Sequence, residues 1–176
     1  MFLVEMVAYF SLNLSRRWRV FVIVMLALQL LTNILRETTQ LPSTPIISLT
    51  ANLIFFCGMA WAAARQVIFA GDIEANTIAG TVAVYLLLGL IWVVLYLIAL
   101  EVWPNAFNGI DYRNWNDNFG VMTYYSYVTM TTLGYGDISP AAPVPRVLAY
   151  LQAVVGTFYM AVVVASFVGA LRKNPN

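Results

Sequence analysis

Thr131-Thr132-Leu133-Gly134-Tyr135-Gly136-Asp137 follows a short apolar, aromatic segment and precedes a long apolar one. The short segment, residues 119–131, has thirteen residues. That is too few to cross a hydrocarbon layer ~30 Å thick, and the segment is too apolar for an exposed loop. A re-entrant half-helix that enters and leaves on one face satisfies both facts. Asp117 or Asn118 is suited to cap its start. Glycines at the alternate positions 134 and 136 permit backbone dihedrals that other residues resist. Such a backbone lets successive carbonyls line one side of the chain, with the Thr132 hydroxyl adding an oxygen at one end. The half-helix ends near Thr131, and the negative end of its dipole favours a cation there.

Four apolar stretches frame this segment: residues 20–35, 46–64, 78–100 and 147–171. None contains a charged residue, and about 20 helical residues suffice to span a membrane. The first is short and spans only if Arg19 and Arg36 snorkel at its ends. Continuous runs, rather than alternating ones, exclude a β-barrel and leave helices. Pro42 and Pro45 separate the first two. Gly71 to Glu74 separates the second from the third. Pro104 ends the third, and Pro140, Pro143 and Pro145 precede the fourth, with the last of these in its first turn.

Composition agrees. Hydrophobic residues make up 61% of the 176 and charged residues 10%. Mean hydropathy is +0.79. A water-soluble surface needs more charge than this. A net charge of +1 gives no electrostatic basis for binding nucleic acid. The chain has no histidine and one cysteine, Cys57, set in an apolar run. A disulfide framework, a zinc site and histidine-based catalysis are thereby excluded, and an enzyme is not expected. No cofactor is expected either.

Residues 1–15 are apolar but carry Glu5, and the basic cluster Arg16, Arg17, Arg19 follows rather than precedes them. This order does not fit a cleaved secretory signal; residues 1–15 read as an interfacial segment. With the N-terminus inside, six basic residues (Arg16, Arg17, Arg19, Arg65, Arg172, Lys173) are cytoplasmic and three (Arg36, Arg113, Arg146) are outside. Both termini are then cytoplasmic, and the Gly-Tyr-Gly segment lies on the outer side.

Residues 77–172 resemble the pore module of the potassium channel superfamily: outer helix, pore helix, selectivity filter, inner helix. Residues 131–137 match the family signature, with Leu133 where valine is commoner. Gly156 lies nineteen residues after Asp137, where the family's hinge glycine falls. The chain is similar to small bacterial ion-channel proteins that add N-terminal helices to this module, which points to a bacterial inner membrane. The resemblance implies an all-α membrane protein with four transmembrane helices, a re-entrant pore helix and a homotetrameric pore. Its parts are the interfacial segment 1–15, two N-terminal helices in 16–76, and a pore domain 77–173. Within that domain lie the outer helix 78–103, pore helix 119–131, filter 132–137 and inner helix 146–171.

The resemblance assigns K+ sites to Thr132, Leu133, Gly134, Tyr135 and Gly136. Asp137, Tyr124, Tyr125 and Thr131 support the filter, with both tyrosines collaring Tyr135 and Asp137 bonding behind it. Thr157, Met160, Val164 and Val168 share one helical face and line the pore, although periodicity alone cannot separate a pore face from a lipid face in an apolar helix. Gly156 is a hinge or a close-packing position; spacing does not choose between them. Val128 stands where some members have a carboxylate behind the filter. The implied partners are K+, membrane lipids and further copies of the chain. Two alternatives stay open: a non-selective monovalent cation channel, and a non-conducting auxiliary subunit with a pore-like fold. Voltage sensing needs several basic residues along one helix, and the second stretch offers only Arg65, at its inner end.

Overall fold

The computed structural model describes residues 44–68, 75–111 and 115–173, with isolated helical positions at 20, 22–24, 27 and 31. Residues 1–15, most of the first apolar stretch, and the side chains of Arg36, Arg113, Arg172 and Lys173 lie outside the described residues. Residues 1–55 and 56–176 form two compact units. The second unit holds the 132–137 loop, and the helix that leads into it begins in the first.

The helices bounded within the described residues are α1 (Thr44–Ile68), α2 (Ala75–Val102), α3 (Trp115–Met130) and α4 (Pro143–Lys173). Two-residue strands β1 (Phe107–Asn108) and β2 (Ser139–Pro140) lie between them. Among the described residues, three helical segments, Pro45–Ile68, Thr77–Val102 and Pro143–Gly169, are long and apolar enough to cross a membrane. At ~1.5 Å per residue each exceeds the ~30 Å of a hydrocarbon core. With α3 at 16 residues, or about 24 Å, the short helix does not.

The helix ends follow local chemistry. The residue before proline disfavours helical backbone, so α2 stops at Val102, just before Trp103-Pro104. A turn follows in which the Ala106 N–H donates to the Trp103 carbonyl at 2.9 Å. The short helix begins at Trp115, four residues earlier than the sequence indicates, and Asp117 occupies its first turn. A carboxylate there suits the positive end of the helix dipole, so Asp117 lies inside the helix rather than capping it. The last helix begins at Pro143, three residues earlier than expected. Prolines at 143 and 145 both fall in the first turn, where N–H groups have no intrahelical partner to lose. The first carbonyl of that turn, Ala142, accepts from Arg146 N–H at 3.2 Å.

The two short strands depart from an all-helical reading. They pair antiparallel, Phe107 opposite Pro140 and Asn108 opposite Ser139. Nothing in the residue pattern marks them, because each is only two residues long and Pro140 is a poor strand former that pairs from a strand end.

The core of this unit is where α2, α3 and α4 meet. Trp115, Asn118, Met122, Tyr125, Ser126 and Met130 are buried on α3, at three- and four-residue steps apart from the adjacent Tyr125 and Ser126. From α2 come Val93, Val94, Tyr96, Leu97 and Leu100. Helix α4 contributes far less: only 11% of its apolar window is buried, against 39% for α2.

Candidate functional site

The loop 132–137 leaves α3 through a defined helix stop. Thr132 has φ +59°, in the left-handed region. Its N–H donates to the Thr129 carbonyl at 3.0 Å, and the Leu133 N–H donates to the Val128 carbonyl at 3.0 Å. This pair of bonds around a left-handed residue is a Schellman motif, in which glycine is the usual occupant. A β-branched residue there costs about 1–2 kcal/mol of backbone strain. Two hydrogen bonds at roughly 0.5–1.5 kcal/mol each are enough to offset it.

The left-handed conformation then recurs at every second residue. Gly134 has φ +57° and Gly136 φ +82°, while Leu133 and Tyr135 between them do not have positive φ. Alternation of this kind turns successive N–H groups to one side of the chain and carbonyls to the other. The N–H side faces back toward α3: both Leu133 and Gly134 N–H donate to the Val128 carbonyl, at 3.0 and 3.3 Å. Carbonyls that this alternation turns to the opposite side are the type of ligand that a hard, weakly polarising cation takes. A methyl at Gly134 or Gly136 would meet nothing within 4 Å, so glycine is needed there for backbone freedom rather than for space.

The supports divide. Tyr124 donates from its hydroxyl to Asp137 Oδ2 at 2.8 Å. Its ring stacks on Tyr135 with centroids 6.4 Å apart and planes 7° from parallel. Tyr125 does not join that collar. It is buried in a triad with Tyr96, at 4.9 Å, and Phe107, at 5.3 Å. Adjacent helical residues point about 100° apart, so Tyr124 and Tyr125 cannot serve one ring together. Thr131, just past the end of α3, spends its hydroxyl on the Tyr127 carbonyl at 2.7 Å.

Gly156 packs against the end of α3. A methyl there would sit 2.5 Å from the Met130 carbonyl oxygen and 2.9 Å from Met130 Cγ. Close approach is reason enough for glycine at this position. Thr157, Met160, Val164 and Val168 are all exposed in the single chain. Thr157 donates its hydroxyl to the Ala153 carbonyl at 2.8 Å.

Sequence reasoning missed a buried polar network behind the loop. Gln152 of α4 is 0% exposed. Its Nε2 donates to Ser126 Oγ at 2.7 Å and to the Ser126 carbonyl at 3.0 Å. Its Oε1 accepts from the Tyr96 hydroxyl at 2.5 Å. Ser126 in turn donates to the Gly89 carbonyl at 2.8 Å. One amide thus ties α2, α3 and α4 together. Two more tyrosines reach α2 carbonyls, Tyr127 to Leu86 at 2.7 Å and Tyr159 to Thr81 at 2.6 Å. The signal was present: a glutamine inside an apolar span faces protein rather than lipid.

A family model described as "Ion channel" matches residues 105–173. No curated protein and no solved structure matches the chain. The match covers the short helix, the loop, the strand pair and α4, and the spanning helices make this an integral membrane protein. Residues 105–173 therefore carry an ion-channel domain, similar to the pore module of the potassium channel superfamily.

Proposed function

We propose that the chain is one subunit of a potassium-selective channel, conducting K+ passively through backbone carbonyls of residues 132–136. The observation that carries this reading is the alternation of left-handed backbone at Thr132, Gly134 and Gly136 within an ion-channel domain. Dehydrated K+ exchanges its water for carbonyl oxygens, and repulsion between ions in neighbouring sites keeps binding from arresting flow. The helix end at Met130 adds partial negative charge at the inner end of the row.

One chain supplies one row of oxygens, and enclosing an ion requires several. The assembly is a homotetramer about an axis facing the carbonyl side. The bare surface of α4 supports this, since copies and lipid together cover it. Thr157, Met160, Val164 and Val168 line the inner part of the path. Two helices precede the module, both termini are cytoplasmic, and the membrane is a bacterial inner membrane. No covalent chemistry and no bound cofactor take part.

Purified full-length chain in liposomes tests the proposal. Under matched gradients K+ flux exceeds Na+ flux strongly. Equal fluxes would make it a non-selective cation channel, and no flux of either ion would make it a non-conducting subunit.

A further inference from the structure

The loop is held at its far end by a segment that precedes α3. Phe107 and Asn108 pair with Pro140 and Ser139. The Ala106 carbonyl accepts from the N–H groups of Ala141, at 2.8 Å, and Ala142, at 3.2 Å. Asn108 Nδ2 donates to Ser139 Oγ at 3.3 Å. Gly109 follows, with φ +80°, and a methyl on its Cα would collide with the carbonyl oxygen of Asp137. Glycine is required here twice, for its dihedral and for its lack of a side chain.

This segment is itself anchored. Ala106 and Phe107 are buried. The Phe107 ring meets Tyr96 edge-on at 5.6 Å and Tyr125 at 5.3 Å. Tyr96 is the residue that donates to Gln152. Contacts therefore run without a break from α4, through Tyr96 and Phe107, to the strand pair and Asp137. Asp137 is held at its carboxylate by Tyr124, and its backbone passes so close to Gly109 that no side chain fits between them.

We propose that this strand pair is a clamp on the outer end of the ion path, and that Gly109 and Asn108 are positioning residues for the carbonyls of Tyr135 and Gly136. The proposal rests on the potassium-channel reading above. An ion bound in the loop stabilises the geometry that binds it, by mass action. When K+ on the Asp137 side is scarce, protein contacts alone must hold that geometry. A weakened clamp then shows as lost conductance at low K+ and as poorer selectivity.

The test uses the full chain in planar bilayers. Gly109→Ala lowers the K+/Na+ permeability ratio by about tenfold and steepens the loss of conductance as K+ falls on the Asp137 side. A second variant does not depend on tolerance of that strain. Asn108 and Ser139 are directly opposed. Opposed antiparallel residues lie roughly 4.5–5.5 Å apart at Cα, within disulfide range. Asn108→Cys with Ser139→Cys, in a Cys57→Ala background, locks the clamp on oxidation. The oxidised channel keeps its conductance to lower K+ than the reduced one, and reductant reverses the difference. A selective wild type whose double-cysteine variant behaves identically oxidised and reduced would overturn the clamp and leave the channel reading standing. If Gly109→Ala folds, an unchanged ratio would do the same. A wild type that passes K+ and Na+ equally would overturn both.

Discussion

The 132–137 loop and α4 are finished to different degrees within one chain. Behind the loop, partners are supplied locally: Val128 accepts two N–H groups, Tyr124 holds Asp137, and Gln152 satisfies Ser126 and Tyr96. Along α4 the opposite holds. Phe158 is 67% exposed, Val162 61% and Val164 54%, an apolar surface that its own chain does not cover. The contrast separates two tasks. Placing carbonyls within a fraction of an ångström needs short-range, covalently linked supports. Enclosing a path needs only a wall, which in the tetramer proposed above is built from copies of the same helix.

The largest expected effect lies on the finished side. Gly134→Ala forces a Cβ into left-handed backbone, at about 1–2 kcal/mol per subunit, with no steric clash inside its own chain. Potassium flux is lost or its selectivity collapses; a variant with wild-type flux and selectivity would refute the assignment of this loop. On the unfinished side, Val164→Cys in a Cys57→Ala background reports which surface faces water. A charged, water-soluble thiol reagent is expected to block most of the flux. Continued full conduction after complete labelling would place that face against lipid.

Gln152→Leu removes support from the finished side without touching the loop. It strands the Tyr96 hydroxyl in a buried site, at about 1–3 kcal/mol, while Ser126 keeps its bond to the Gly89 carbonyl. Thermal unfolding in detergent should shift down accordingly, and an unchanged midpoint would show the network to be dispensable. The smallest effect is expected from Arg65→Gln. One arginine in the last turn of α1 is no voltage sensor, so conductance should vary only weakly with voltage in both forms. A steep, saturating curve abolished by the substitution would contradict this.

Three of the expected spans, the short helix and the loop were legible in the sequence because each has a one-dimensional signature. Apolar length marks a span, and alternate glycines mark a backbone that leaves ordinary dihedral space. The partner of each support was not legible. Tyr124 and Tyr125 look equivalent in sequence, yet about 100° of helical rotation sends one to Tyr135 and the other to Phe107. Gly109 reads as a loop glycine until the strand pair brings it against Asp137, 28 residues away. Helix starts were missed by three and four residues, because prolines and a carboxylate are accepted inside a first turn as well as before it.

Selection of K+ by the alternating backbone at 132–136 is open to a direct measurement, the bi-ionic reversal potential. K+ bathes one side of a bilayer holding the purified chain, and an equal concentration of Na+ bathes the other. A carbonyl filter that prefers K+ displaces the reversal potential far in the direction set by K+. A value at zero, with current flowing, would contradict that preference.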